Sequence, residues 1–133
     1  MAVSVVSLIK KGLFQDALDL LSQDEKNSNS QVFLTSYCHY RLEDFEKALE
    51  TITTFSLAAE NDIPLTSLKA QILFKLEKFK ESSALYERLM KLCPERNFEW
   101  SSNYSASQSM ARVSFESKAK VYHPKYIFMC SKL

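Results

Sequence analysis

Hydrophobic and polar positions recur at helical spacing in pairs of segments along the chain. In one such pair, Leu65, Leu68 and Ile72 are three or four residues apart, as on one face of a helix. A second helical pattern with Leu85 and Leu89 follows after a short polar stretch. The same pairing occurs earlier in the chain. The pattern predicts a helix, a tight turn and a second helix in each segment.

Three such segments align when one aromatic residue in each is used as the marker. They read KKGLFQDALDLL, RLEDFEKALETI and KLEKFKESSALY, and the markers are 31 and 34 residues apart, at Phe14, Phe45 and Phe79. A small residue stands three positions after each marker and lets the second helix approach the first; these are Ala17, Ala48 and Ser82. A two-helix repeat of about 34 residues with this small residue and a proline near its end is typical of the tetratricopeptide repeat.

We therefore predict an all-α fold, a right-handed superhelix of about three tetratricopeptide repeats followed by a C-terminal closing helix. The predicted repeat domain covers residues 1–116, and a short tail of uncertain structure covers residues 117–133. The closing helix would use Phe98, Tyr104 and Met110 for apolar contacts. One glycine and three prolines in 133 residues agree with this fold, since β-rich folds need many tight turns.

Charge and cysteine content narrow the class of protein. The 17 Lys and Arg residues nearly balance the 16 Asp and Glu residues, so no strong net field would attract nucleic acid or an anionic membrane. Three cysteines without paired spacing do not make a disulfide framework. No apolar run approaches the roughly 18 residues of a membrane span. We expect a cytoplasmic protein that needs no cofactor.

The adjacent Cys38 and His39 are the first candidates for chemistry. Neighbouring helix residues point about 100° apart, so the two side chains are poorly placed to act as nucleophile and base. We interpret them as ordinary helix residues and predict no enzyme. A metal or redox protein stays open as an alternative, in which the ligands would be Cys38, His39, Cys93, His123 and Cys130.

A partner-binding surface is the other candidate. In a stacked array the first helix of each repeat lines the concave side, and its inner residues here are aromatic and cationic. The predicted groove consists of Val6, Ile9, Lys10, Phe33, Tyr37, Tyr40, Arg41, Gln71, Phe74 and Lys75. Such a groove would suit a peptide that carries apolar anchors and acidic residues. The alternative is that several of these side chains form the core between repeats.

Three stretches resemble one particular family. VVSLIKKGLFQDALDLL, YCHYRLEDFEKALETI and LKAQILFKLEKFKESSALYERLM, in this order, are similar to the N-terminal tetratricopeptide region of the 72-kDa subunits of the eukaryotic signal recognition particle. The resemblance covers about residues 3–110. It implies a scaffold that binds the C-terminal region of the 68-kDa subunit during co-translational targeting to the endoplasmic reticulum. It also implies that this segment does not contact RNA, because the family's RNA contact lies in another region.

Two further hypotheses compete with this one. The chain could be a different tetratricopeptide adaptor, for example of the intraflagellar-transport type, which binds another peptide. It could also form a homodimer through exposed repeat ends and the apolar YIFMC run of its tail, because truncated repeat arrays leave apolar faces uncovered.

Overall fold

The computed structural model describes residues 4–23, 28–55 and 62–116, which form α-helices and one short 3₁₀ turn and contain no strand. The helices are α1 (Val5–Lys10), α2 (Phe14–Leu21), α3 (Asn29–Arg41), α4 (Phe45–Phe55), α5 (Ile63–Lys75), α6 (Phe79–Leu92) and α7 (Asn97–Glu116), and the 3₁₀ turn is Pro94–Arg96. The all-α prediction is confirmed.

The chain divides into two compact units, residues 1–65 and residues 66–133. Helices α1 to α4 lie in the first unit. Helices α6 and α7 lie in the second unit, together with all but the first three residues of α5.

Each helix pair is joined by the same backbone turn, whose central residue has a positive φ angle. This residue is Gly12 (φ 79°) between α1 and α2, Glu43 (φ 62°) between α3 and α4, and Glu77 (φ 64°) between α5 and α6. The turn residues donate N–H groups back to the first helix, at 3.0 Å from Glu43 to the Tyr40 carbonyl and at 2.9 Å from the next residue to His39. This Schellman arrangement ends each first helix. Each second helix then begins at the aromatic marker.

Small side chains let the helices of the first unit approach each other. Ala17 is fully buried and forms a cluster with Leu21 and Cys38, against which apolar residues of α1, α2 and α3 pack. Ala48 is also fully buried, and the Ser36 hydroxyl of α3 donates to its carbonyl in α4 at 2.8 Å. Helices α3 and α4 are therefore close enough for a side chain to bond directly to the facing backbone.

The second unit has its own buried hydroxyl at the helix contact. The Ser82 hydroxyl of α6 donates to the Ala70 carbonyl of α5 at 2.8 Å. The same oxygen lies 3.3 Å from the Ser107 hydroxyl of α7. Three helices thus meet at Ser82, which is fully buried.

Helix α7 covers the apolar surface of the last helix pair, as expected for a closing helix. Ala106 and Met110 are buried against Phe74 and Phe79, and the rings of these two phenylalanines contact edge to face with centroids 5.0 Å apart. This contact removes the Phe74 ring from water. Residues 117–133, which contain the predicted tail and its YIFMC run, lie outside the described residues.

The predicted apolar contact of Phe98 is wrong, because 75% of this residue is exposed. Phe98 lies in the first turn of α7, and the residue that packs there is Trp100, which is only 3% exposed. The Arg96 guanidinium lies over the Trp100 ring at 4.9 Å and is held by Glu99 at 2.7 Å. The start of α7 is therefore fixed by Trp100 and leaves Phe98 in solvent.

Candidate functional site

The predicted groove residues of the first unit include a set of aromatic rings around one arginine. The rings of Phe33 and Tyr37 are nearly parallel, with centroids 6.0 Å apart, and the Phe14 ring meets Tyr37 edge to face at 6.2 Å. The Arg41 guanidinium lies 5.0 Å from the Phe14 centroid and donates to the Tyr37 hydroxyl at 3.0 Å. We call these four residues the Arg41 surface.

Helix spacing and the repeat turn explain how the Arg41 surface forms. Phe33, Tyr37 and Arg41 are four residues apart on α3, so their side chains follow one another along one face. Phe14 comes from α2 of the preceding repeat. Arg41 is exposed, whereas the three aromatic residues are half-buried. The arrangement holds a cationic group in a fixed position at the edge of an apolar floor.

The remaining groove residues of the first unit differ in exposure. Tyr40 is only 6% exposed, and its ring contacts Phe45 edge to face at 5.6 Å. Ile9 is half-buried against the cluster around Ala17, while Lys10 is exposed at the end of α1. Tyr40 therefore belongs to the packed interior between α3 and α4, and Lys10 to the surface.

In the second unit, two of the three predicted groove residues are buried. Gln71 is 3% exposed and Phe74 is 4% exposed, and Phe74 packs against α7. Lys75 is half-buried at the end of α5. The sequence pattern could not distinguish the buried residues Gln71 and Phe74 from the partly exposed Lys75, because it does not show which surface α7 covers.

Cys38 and His39 lie in different surroundings, although they are adjacent in sequence. Cys38 is fully buried, and burial raises the pKa of its thiol to about 11, so the thiolate is rare near neutral pH. His39 is half-buried and lines a groove on the other side of α3. Within the described ranges no three His, Cys, Asp or Glu side chains are grouped to hold a metal ion. His123 and Cys130 lie outside those ranges.

The second cysteine of the predicted metal set, Cys93, also has a raised thiol pKa. The Cys93 thiol donates to a Glu95 carboxylate oxygen at 3.1 Å, and this hydrogen bond, then burial, raise its pKa. The same contact lowers the pKa of Glu95. Cys93 is therefore held as a neutral thiol, which is a poor nucleophile and a poor metal ligand.

Sequence reasoning missed the groove that His39 lines. This groove has a volume of about 560 Å³ and lies within the first unit, among α2, α3 and α4. Its polar residues include Asp19, Thr35, Asp44 and Lys47. One sequence signal was available, since α2, the turn after α3 and α4 carry many acidic residues and only one basic residue, Lys47.

The part of the chain that the structure describes contains no helix with the length and apolar character of a membrane span.

Comparison with known proteins agrees with the helix pairs. Residues 10–89 match the family described as Anaphase-promoting complex, cyclosome, subunit 3. The signal recognition particle subunit SRP72 of Homo sapiens and that of Canis lupus familiaris are each 37% identical to this chain over 89 residues, which are 65% of the chain. The SRP72 of Caenorhabditis elegans is 27% identical over 88 residues. In all three cases the match spans 13% of the relative's length.

These similarities confirm the resemblance to the tetratricopeptide region of the 72-kDa subunit and the tetratricopeptide type of the fold. They point to a structural or binding protein rather than an enzyme. Since the family match covers more than half of the 133 residues, the chain belongs to the tetratricopeptide-type family described as Anaphase-promoting complex, cyclosome, subunit 3.

Proposed function

We propose that this chain is a protein-binding scaffold of the signal recognition particle, which binds the C-terminal region of the 68-kDa subunit in co-translational targeting to the endoplasmic reticulum. The similarity to SRP72 supports the choice of particle. The proposed location is the cytoplasm, on particles associated with ribosomes. In this proposal the segment binds protein and not RNA.

The observation that carries the proposal is the geometry of the Arg41 surface. A guanidinium has five N–H donors, and Tyr37 accepts from one of them at 3.0 Å, so two others can bind a carboxylate of the partner. The contacts with Phe14 and Tyr37 restrict the arginine before the partner arrives, which reduces the entropy lost on binding. The half-exposed rings of Phe33 and Tyr37 offer apolar contacts beside the cation.

The burial of several predicted groove residues reduces the set of residues that we propose to contact the partner. Tyr40, Gln71 and Phe74 have almost no exposed surface, so we leave them out of the proposed contact. Lys10 remains as a second cation of the first unit. Lys75 remains as the proposed contact of the second unit. The partner segment should therefore carry at least one acidic residue next to an apolar one.

Titration calorimetry with a synthetic peptide from the C-terminal region of the 68-kDa subunit tests the proposal. We expect Arg41→Gln to weaken binding about tenfold, because a charge-assisted bidentate contact contributes roughly 1.5–3 kcal/mol. Tyr37→Ala should weaken it by a similar factor, because it removes both the ring and the support of the arginine. Lys11→Gln is the matched control, since it removes one exposed positive charge of the first unit, at the C-terminal end of α1.

Absence of binding by the folded chain would contradict the choice of partner. Equal losses for Arg41→Gln and Lys11→Gln would contradict the choice of surface, because they would indicate a diffuse charge effect. Adding the chain to a cell lysate and identifying the captured proteins separates this proposal from its alternative. In that alternative the chain is a different tetratricopeptide adaptor, which the match to a subunit of another complex favours.

Self-association is the second alternative, and one surface feature supports it. Phe98 is 75% exposed and Leu92 is 41% exposed, both beside the Pro94–Arg96 turn. Light scattering at two protein concentrations measures the oligomeric state. If a dimer forms through this region, Phe98→Ser should convert it to a monomer.

A further inference from the structure

The row of α3 residues that carries the Arg41 surface begins beside an acidic group. Asn29 is the first residue of α3 and lies four positions before Phe33, and its side-chain amide donates to an Asp62 carboxylate oxygen at 3.1 Å. Positions 29, 33, 37 and 41 therefore form one row along α3, within the first unit. The row starts beside a carboxylate, passes two aromatic rings and ends at the Arg41 guanidinium, so its two ends carry opposite charges.

The charged group at each end of this row is fixed and can still bind a partner. The other oxygen of Asp62 accepts from the Leu65 N–H at 3.1 Å, which caps the start of α5. A carboxylate has about four acceptor sites, so others remain for a ligand. Asp62 is half-buried, and water therefore screens its charge less than that of a fully exposed carboxylate. A fixed anion at one end and a fixed cation at the other select a ligand with the complementary arrangement of charges.

The spacing of the row matches that of an extended chain. Each step of four residues advances about 6 Å along α3, and two residues of an extended chain advance about 6.6 Å. Every second side chain of an extended segment points to the same side, so each can face one position of the row. A partner helix has the same 6 Å step. However, helices that pack through four-residue ridges cross at about 50°, so a helix would contact the middle of the row and leave its ends.

We propose that this row binds an extended partner segment whose acidic and basic residues are separated by two apolar residues at alternate positions. The acidic residue pairs with Arg41, and the basic residue pairs with Asp62. The two apolar side chains lie on the rings of Phe33 and Tyr37. Positions 29 and 41 are about 18 Å apart along the helix, a distance that about six residues of extended chain cover. The proposal rests on the proposed contact at Arg41 and adds the opposite charge, the conformation of the partner segment and the order of its residues.

Fluorescence anisotropy with the full 133-residue chain tests the proposal. The probes are two fluorescein-labelled peptides in which glutamate, two leucines and lysine alternate with serine, in this order or in the reverse order. Both are needed because the charges do not fix the direction of the bound chain. One control peptide has the same composition but places glutamate and lysine side by side at one end. A second control peptide places the four residues at four-residue intervals between alanines, as on one face of a helix. We expect the tighter probe to bind at least about fivefold more tightly than either control.

Two variants of the chain make the test specific to Asp62. Asp62→Asn removes the charge and keeps the cap, because asparagine caps a helix about as well as aspartate. It should raise the Kd of the tighter probe about fivefold, and this loss should disappear when the lysine of the probe is replaced by glutamine. Asp44→Asn is the matched control. Asp44 accepts from the Lys47 N–H at 3.4 Å at the start of α4 and lines the groove among α2, α3 and α4, so the Kd should change less than about twofold. Melting temperatures establish that both variants are folded.

Four results would overturn the proposal. They are failure of both probes to bind the folded chain, equal effects of Asp62→Asn and Asp44→Asn, a loss in Asp62→Asn that persists with the glutamine probe, and equally tight binding of either control peptide. The proposed function fails by a different result, which is absence of binding to the 68-kDa peptide in calorimetry. If Arg41→Gln weakens binding of that peptide while Asp62→Asn has no effect on the probes, the contact at Arg41 stands and only the extended, oppositely charged segment is excluded.

Discussion

The helix contacts of the second and third repeats use the same two positions with the residue types exchanged. In the second repeat Ser36 on the first helix donates to the carbonyl of Ala48 on the second helix. In the third repeat Ser82 on the second helix donates to the carbonyl of Ala70 on the first helix. Ser36 and Ala70 are 34 residues apart, as are Ala48 and Ser82. Both bonds measure 2.8 Å.

The exchange of serine and alanine shows which features of the helix contact the two repeats share and which feature differs between them. In the second and third repeats both positions carry small side chains, and the residue on the second helix, Ala48 or Ser82, is fully buried. Which helix supplies the hydroxyl is not fixed by the repeat. The first repeat has Ala17 at the second position and Val5 at the first, so it has no hydroxyl at either. The hydrogen bond is therefore an addition to the close approach and not its cause.

The largest expected effect comes from breaking the close approach itself. Ala48→Leu places three additional carbon atoms at a fully buried helix contact, and we expect it to lower the free energy of unfolding by about 3 kcal/mol. Ser82→Leu should lower it at least as much, because it also removes the bond to Ala70. Urea unfolding followed by circular dichroism measures both losses.

Ala84→Leu serves as the control for helix propensity and side-chain size. Ala84 is exposed on α6, so its replacement should change the free energy of unfolding by less than about 0.5 kcal/mol. If Ala48→Leu were tolerated equally well, the stability of the second repeat would not depend on close contact between its helices.

Removal of the hydroxyls has the next largest expected effect. Ser36→Ala removes one buried hydrogen bond and should lower the free energy of unfolding by about 1 kcal/mol. Ser82→Ala should have a larger effect, of about 1–2 kcal/mol, because Ser82 also contacts Ser107 at 3.3 Å. Thermal and urea unfolding of the two variants provide the values. A smaller loss for Ser82→Ala would show that the contact with α7 does not add stability.

A double variant tests whether the two positions are equivalent. Ser36→Ala combined with Ala48→Ser gives the second repeat the residue order of the third. We expect this double variant to recover most of the stability lost in Ser36→Ala, because the hydroxyl introduced at position 48 can donate to the backbone carbonyl of position 36. The double-mutant cycle with both single variants measures the recovery. An additive loss would show that the geometry of the two contacts differs.

The sequence was sufficient to predict the helix pairs. The markers and the small residues follow from the repeat itself, because close helix packing allows few residue types. The Arg41 surface could be predicted in part, since the four-residue spacing on α3 places Phe33, Tyr37 and Arg41 on one face. The participation of Phe14 depends on the neighbouring repeat and became evident only in the structure.

Other features could not be predicted, because they depend on which surface each helix covers. Gln71 and Phe74 occupy positions in the repeat where the sequence pattern predicts residues of the concave surface. In the structure both side chains are buried. Phe98 looked like a core residue, but Trp100 occupies the packed position two residues later. The groove at Thr35 requires contributions from three helices, and no local pattern encodes that combination.

The smallest expected effects concern the turns, where the repeats are alike and the contrast between the helix contacts should disappear. Glu43 and Glu77 have φ angles of 62° and 64°, which are unfavourable for a residue with a Cβ atom. Glycine relieves this strain but gains freedom in the unfolded chain, so Glu43→Gly and Glu77→Gly should each raise the free energy of unfolding by about 0.5 kcal/mol. Gly12→Ala is the reverse change at the first turn (φ 79°), where a Cβ atom would meet nothing within 4 Å. It should lower the free energy of unfolding by about 0.5–1 kcal/mol through backbone strain alone. Urea unfolding measures all three variants. Equal gains for Glu43→Gly and Glu77→Gly would show that the two repeats share one turn and differ only at the helix contact, whereas a gain in one repeat alone would extend the difference to the turn.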